Sequence, residues 1–183
     1  SAGGLGMPVV AVAGLVEEVG RAAFPCPLLP TLNASYVLAA CGKSGEEALG
    51  DIIAGKSATL AITNARGSWS AGDTDVVCDN GTLDGTASFV QDARKVDRLL
   101  VSARSGSGVS VYWVDANASG VTIQPDAILD LTRDQAHVTF TDVAVQELAS
   151  DGIAVINEAF PVIWTLLAAD IVGAAEWQLQ TTV

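Results

Sequence analysis

The feature that most limits what this chain can fold into is a change of hydrophobic pattern at Ser57. Beyond it, short runs rich in Val, Thr and Ile alternate with Gly, Asp and Asn, a pattern typical of strands joined by tight turns. The segments Asp79–Gly81 and Ser105–Gly108 are predicted to be such turns. The predicted strands are Thr59–Thr63, Thr74–Cys78, Ala87–Val90, Leu99–Ala103, Val109–Val114 and His137–Phe140. We therefore predict a mainly antiparallel β-barrel or β-sandwich domain over residues 57–150.

Helical patterns flank this β-rich region on both sides. Val9–Val19 is predicted to be an amphipathic helix. Its apolar face comprises Val12, Leu15, Val16 and Val19. Short helices are predicted over Leu32–Ala40 and Glu46–Ala54, because each is followed by a glycine that can end a helix. The fold class is therefore α+β, in which a helical part over residues 1–56 precedes the β-domain and one long helix follows it within residues 151–183.

The last helix is predicted to begin near Pro161, a residue that the first turn of a helix accepts. Its apolar residues surround the helix, so we expect it to be buried in a bundle or in an oligomer interface. They are Ile163, Leu166, Leu167, Ile171, Val172, Trp177 and Leu179. Since nothing follows Val183 to cover this helix, we expect the chain to be truncated. A membrane span is disfavoured because Asp170 would lie in mid-span and no basic flank follows.

Composition excludes several classes of function. The chain has 21 acidic and 9 basic residues, for a net charge of −12, so the basic surface that binds nucleic acid is missing. Its 3 cysteines lack the spacing of a disulfide framework or a zinc site, and only 1 histidine is present. The N-terminal segment lacks the basic region of a secretory signal. We therefore expect no metal and a reducing, cytoplasmic location.

A set of short sequence words occurs in one order along nearly the whole chain. The words are Gly3–Gly6, Glu17–Arg21, Leu60–Thr63, Leu83–Gly85, Phe89–Val90, Asp97–Arg104 and Val138–Val143. Their order and approximate spacing resemble the acyl-CoA dehydrogenase family. Each word alone is unspecific, and the resemblance rests on the ordered set.

The resemblance implies an oxidoreductase of fatty acid and lipid metabolism that binds FAD and an acyl-CoA substrate. In this family the flavin takes a hydride from the β-carbon while a carboxylate removes the α-proton, and the product is a trans-2-enoyl-CoA. The implied flavin-binding residues are Ile62, Thr63, Ser68, Phe89, Val90 and Gln91. Where the family usually has Trp, a β-branched residue and Thr, this chain has Phe89, Val90 and Gln91, so an altered flavin site is expected.

No catalytic residue is assigned. The family places its glutamate either late in the C-terminal helical bundle or in the first helix of that bundle, where alignment on Gly173 puts Ile163. The chain alone is therefore expected to be inactive. Three functions stay open: part of an active dehydrogenase, a cofactor-binding or structural subunit of a heteromeric dehydrogenase, and an unrelated β-domain binding protein. A homo- or hetero-oligomer is expected for the first two.

Overall fold

The computed structural model describes residues 4–183, so Gly3 of the first sequence word lies outside the described residues. Four α-helices and eight strands follow one another along the described residues. The helices before the sheet are α1 (Val9–Arg21), α2 (Leu28–Ala40) and α3 (Glu46–Ile53), and α4 (Gly152–Thr182) follows it. The strands are β1 (Ala58–Ala61), β2 (Val77–Asp79), β3 (Thr82–Gln91), β4 (Arg98–Ser105), β5 (Gly108–Asp115), β6 (Val121–Pro125), β7 (Gln135–Ala144) and β8 (Glu147–Ala149).

All eight strands belong to one sheet, in the order β6-β7-β3-β2-β4-β5-β8, with β1 paired to β4. Pairing is antiparallel except where β4 meets β1 and β2. The predicted fold class is therefore confirmed: a mainly antiparallel β region with helices before it and one long helix after it. Both predicted hairpin turns are also confirmed, since Asp79 pairs with Thr82 and Ser105 pairs with Gly108.

The sequence pattern missed β6 and β8. These strands lie at the two ends of the sheet path, where their side chains are partly solvated. An edge strand needs no strict apolar alternation, and β6 ends in a proline that only an edge tolerates. Several other strands are shifted or lengthened relative to prediction: β2 begins at Val77, and β3 and β7 each span ten residues.

The sheet separates two apolar cores. In β4, Leu99 and Val101 belong to one core, whereas Leu100 belongs to the other, because successive side chains of a strand point to opposite faces. The second core lies between the sheet and the helices, where Val37 of α2 and Ile163 of α4 are fully buried. The sheet therefore holds α2 and α4 against β1.

The start of the last helix differs from prediction. α4 begins at Gly152, and the carboxylate of Asp151 caps it by accepting a hydrogen bond from the backbone amide of Ala154 at 3.0 Å. Pro161 lies inside the helix, on its exposed side. The helix continues through this residue because Phe160 and Ile163 on either side of it are packed in the core, and packing outweighs local propensity.

Within this single chain α4 is not buried all round, so the burial expected for it in a bundle or an oligomer interface stays a prediction. One stripe faces α1, α2 and the sheet, and it contains Ile156, Ala159, Phe160, Ile163, Leu166, Asp170 and Gly173. The outer side exposes Trp164, Ile171, Val172, Trp177 and Leu179. By length and hydropathy α4 could cross a membrane, with a mean hydropathy of 1.6 over its most apolar window. Its packed inner stripe is that of a core helix.

Helices α1 and α4 cross in close contact through two glycines. A Cβ atom on Gly173 would lie 1.9 Å from the carbonyl oxygen of Glu17, and one on Gly20 would lie 2.1 Å from that of Asp170. Of the predicted apolar face of α1, Val12 and Val16 are buried, whereas Leu15 is half-exposed. The buried face of α1 therefore includes Gly20, because α4 can approach α1 closely only where no side chain intervenes.

Candidate functional site: a bulged strand beside Thr63

A β-bulge in β3 shapes the candidate site. Ala87 pairs with Val138 and Val90 with Ala136, so that Ser88 and Phe89 together face the single residue His137 on β7. Phe89 has a φ of +56°, in the left-handed region that few non-glycine residues adopt. The bulge turns the Phe89 ring outward, where its centroid lies 5.4 Å from that of His137.

The bulge is held against the segment that follows β1. The backbone amide of Ser88 donates a hydrogen bond to the carbonyl oxygen of Thr63 at 2.9 Å. Thr63 itself is buried at the end of that segment, directly after the buried Ile62. This one hydrogen bond fixes the distance between the two segments that supply the implied flavin-binding residues.

Four of the six residues implied by the resemblance line one small cavity of about 30 Å³: Ile62, Thr63, Phe89 and Gln91. Trp69, Thr59 and Asn33 line it as well. A second, more open cavity of about 260 Å³ shares Trp69, Phe89 and Gln91 and extends to Arg133 and Gln135. Phe89, Gln91 and Trp69 therefore form the common wall of both spaces.

The other two implied residues lie elsewhere. The Val90 side chain is buried in the core on one face of the sheet, the core that contains Leu99 and Val101, so only its backbone faces the bulge region. Ser68 lies in the loop after Thr63, where its hydroxyl donates to a carboxylate oxygen of Asp73 at 2.7 Å. Neither side chain lines the cavity formed by the first four residues.

The loop after Thr63 is organised by Asn64. Its side-chain oxygen accepts hydrogen bonds from the backbone amides of Arg66 and Ser68, at 2.9 and 3.0 Å, and Gly67 between them has a positive φ. This turn places Trp69 over the cavity, with its ring centroid 6.3 Å from that of Phe160 on α4. The segment thus forms an aromatic cover for the site.

Sequence reasoning did not identify Trp69 or Asn33 as site residues. The sequence indicates Trp69 only in that an aromatic residue occurs inside a Gly- and Ser-rich loop, where solvated positions are usually polar. For Asn33 the signal was weaker: a carboxamide in an otherwise apolar helical segment. Both become part of the site through the packing of α2 against β1, which sequence pattern does not specify.

Charged groups at and near the second cavity are already paired. Asp134, which lines the cavity, forms an ion pair with Arg94. Asp92, which follows Gln91 in the chain, lies 2.8 Å from the ammonium group of Lys95. Burial raises the pKa of Asp92, and Lys95 opposes that shift. Among the described residues, no cluster of His, Cys, Asp and Glu could hold a metal ion. The site is therefore polar and aromatic, and its carboxylates are paired.

The residues at the bulge fit a flavin ring by their chemistry. An isoalloxazine needs flat apolar cover and hydrogen-bond donors at its edge. Phe89 and Trp69 each expose about two fifths of their side chains, and Thr63 and Gln91 supply a hydroxyl and a carboxamide beside them. The second cavity extends from the same wall, beside Phe89.

No family model matches the chain, and no curated protein matches it in sequence. Solved structures match over its whole length. A variant of the steroid ACAD Tcur3481-Tcur3483 is 29% identical with a TM-score of 0.82, covering 99% of this chain and 50% of that one. The butyryl-CoA dehydrogenase from Megasphaera elsdenii is 20% identical with a TM-score of 0.79, covering 98% and 54%.

A third structure, PigA with FAD and proline, is 18% identical with a TM-score of 0.81 and covers 99% of this chain and 54% of that one. This chain thus spans about half the length of the structures that it matches. The likeness is an argument against the unrelated β-domain that the sequence left open. The order of the words and the fold agree: the chain resembles the acyl-CoA dehydrogenases over the middle β-domain of that family and the helices on either side of it.

Proposed function

We propose that this chain provides the flavin-facing wall of an FAD-dependent acyl-CoA dehydrogenase that oxidises acyl-CoA thioesters to trans-2-enoyl-CoA. The observation that carries the proposal is the bulge of β3, which presents Phe89 and Gln91 beside the buried Thr63. Bound FAD would supply the hydride acceptor for the β-carbon of the acyl group. The residues of this chain bind and orient, and they keep water away from the reacting atoms.

Each of the six implied flavin-binding residues has a separate role in this proposal. The hydroxyl of Thr63 would bond the pyrimidine edge of a bound flavin, and the backbone of Ile62 would contribute beside it. The Phe89 ring, on the open side of the bulge, would cover the flavin and exclude water. The carboxamide of Gln91 would donate a hydrogen bond to the flavin edge. Val90 contributes through its backbone alone, and Ser68 holds the loop through Asp73.

The carboxylate that removes the α-proton is not among the groups that line the bulge cavity in the described residues. Ile163, which stands where some family members carry that glutamate, is fully buried in the core. The proposal therefore assigns the base to a segment or subunit outside these 183 residues. The chain alone is expected to bind flavin weakly and to be inactive.

The second candidate is a non-catalytic cofactor-binding or structural subunit of a heteromeric acyl-CoA dehydrogenase. The buried Ile163 favours it, as do the two departures at Phe89 and Gln91. Both candidates place the chain in fatty acid metabolism, in the cytoplasm and in an oligomer. Both also divide it at residues 57 and 151 into helical, β and helical parts.

The test is the flavin content and activity of the protein expressed from its complete reading frame. Purified protein should show flavin absorbance, and anaerobic addition of an acyl-CoA should bleach it and yield the enoyl product by mass spectrometry. Bound flavin without bleaching by straight-chain, branched or sterol-derived thioesters would support the subunit function instead. Protein that holds no flavin under any condition would contradict the first proposal.

A further inference from the structure

One polar group beside the site has no partner. Asn33 is only 3% exposed on α2, and its side-chain oxygen is fully enclosed without a hydrogen-bond partner within residues 4–183. A buried amide oxygen that loses water and gains no donor destabilises the fold. The other side chains that α2 buries alongside it are apolar, among them Leu29, Val37 and Leu38. The sequence therefore keeps a carboxamide where packing alone favours leucine.

Asn33 lines the same small cavity as Thr63, Phe89 and Gln91. Its volume of about 30 Å³ leaves room for roughly one water-sized group. An isoalloxazine or a ribityl chain is far too large for this space, so the flavin itself does not occupy it. The cavity instead suits one small polar substituent of a ligand that lies against the bulge.

We propose that Asn33 selects acyl-CoA substrates whose acyl group carries a hydroxyl, a proposal that rests on the proposed function. A hydroxyl is water-sized, and it satisfies either end of a carboxamide because it both donates and accepts. Thr59, which also lines this cavity, offers a further hydroxyl partner. A site built to bond a hydroxyl discriminates against the analogue without it, because the analogue leaves the buried group unpaired.

The experiment uses protein from the complete reading frame, loaded with FAD that is kept reduced under anaerobic conditions so that no thioester is oxidised, and isothermal titration calorimetry. Three matched thioesters are compared: butyryl-CoA, 3-hydroxybutyryl-CoA and 4-hydroxybutyryl-CoA. We expect at least one hydroxylated thioester to bind about 5- to 10-fold more tightly than butyryl-CoA, a factor in the range of one neutral hydrogen bond. In Asn33→Leu this preference should vanish, whereas Asn33→Ser, which keeps a hydrogen-bonding group, should retain part of it.

Thermal unfolding of the same variants supplies a readout besides binding. Asn33→Leu should melt at the same or a higher temperature and keep its flavin, because it removes an unpaired polar group without changing the side-chain size greatly. Equal affinity of the wild type for all three thioesters overturns the proposal and leaves a buried water as the partner of Asn33. A protein that binds neither flavin nor any of the thioesters overturns the proposed function together with this one.

Discussion

The guanidinium of Arg133 donates to the carboxylate of Asp170 across 2.6 Å, which joins the loop before β7 to the middle of α4. Asp170 is almost fully buried, and its second oxygen has no partner in the described part of the chain. Its backbone also packs on Gly20 of α1. The loop before β7, helix α1 and helix α4 therefore meet at the ion pair between Arg133 and Asp170.

Substituting Arg133 alone should lower the free energy of unfolding more than substituting Arg133 and Asp170 together. In Arg133→Leu the buried carboxylate loses its cation, and we expect a loss of about 3 kcal/mol in the free energy of unfolding. The double variant Arg133→Leu/Asp170→Leu should recover most of it, because no uncompensated charge remains. Urea denaturation measures both values, with the exposed Arg66→Leu as the control. A loss below about 1 kcal/mol would show that the pair is solvated.

The crossing of α1 and α4 should tolerate no side chain at Gly173. Its Cβ would lie 1.9 Å from a backbone oxygen that cannot move without shifting the helix. Gly173→Ala should therefore cost at least about 1–3 kcal/mol, or prevent folding. Gly14→Ala is the matched control, because no atom lies within 4 Å of its Cβ position and the change should stabilise α1 by about 0.5–1 kcal/mol. Similar melting temperatures for the two variants would refute the close crossing.

The local sequence pattern predicts a good part of this fold. The turn at Asp79–Gly81 and the hairpin at Ser105–Gly108 follow from residues that accept positive φ, and Asn80, Gly81 and Gly106 adopt it. The start of α4 shows the opposite case. Pro161 is a local signal for a first turn, yet packing of the residues around it extends the helix to Gly152.

The candidate site depends still less on local pattern. Thr63, Phe89 and Gln91 were found by resemblance, whereas Asn33 enters only because α2 packs against β1. That contact joins residues far apart in sequence, and no periodicity encodes it. The bulge itself was also hidden, because a strand with one extra residue has the same composition as a regular one.

Acid should weaken the junction of β1 and β4 through Asp97. Its carboxylate accepts hydrogen bonds from the backbone amide and the hydroxyl of Ser57, at 2.8 and 3.0 Å, and these bonds lower the pKa of Asp97 below its ordinary value of 3.8. A carboxyl group whose pKa is lower in the folded state than in the unfolded state stabilises the fold at pH values above its unfolded pKa. This contribution to stability is lost as the pH falls through the folded pKa.

The stability difference between wild type and Asp97→Asn should therefore be largest near pH 7 and shrink below about pH 4. Chemical denaturation at several pH values measures this difference. Ser57→Ala should have a similar but smaller effect, because the backbone donor remains. A difference that stays constant from pH 7 to pH 3 would assign the effect to packing.

The outer side of α4 should drive association. Ile171 and Trp177 are more than half exposed on a helix whose inner stripe is already packed, and such apolar surface favours a partner. Light scattering over a range of concentrations should show a species larger than one chain, and Ile171→Glu/Trp177→Glu should reduce its size. Gln178→Glu, which adds charge at a polar exposed position, is the control. A wild-type monomer at all concentrations would contradict the prediction.

On the proposed function, flavin affinity should depend on Thr63 more than on any other of the implied flavin-binding side chains. Thr63→Val removes one donor and acceptor without changing the shape of the side chain, at a place that the Ser88–Thr63 hydrogen bond holds fixed. The loss of one neutral hydrogen bond is worth about 0.5–1.5 kcal/mol, so the dissociation constant should rise roughly threefold to tenfold. Gln91→Thr should leave affinity unchanged or improve it, because a hydroxyl on a short side chain loses less conformational freedom than a carboxamide.

Fluorescence titration of flavin into protein from the complete reading frame measures the dissociation constants of the wild type, Thr63→Val and Gln91→Thr. Thr122→Val, on the exposed edge strand β6, is the control. Equal affinity of wild type and Thr63→Val would remove Thr63 from the site, while a shared loss in Thr122→Val would trace the effect to stability rather than to contact with the flavin.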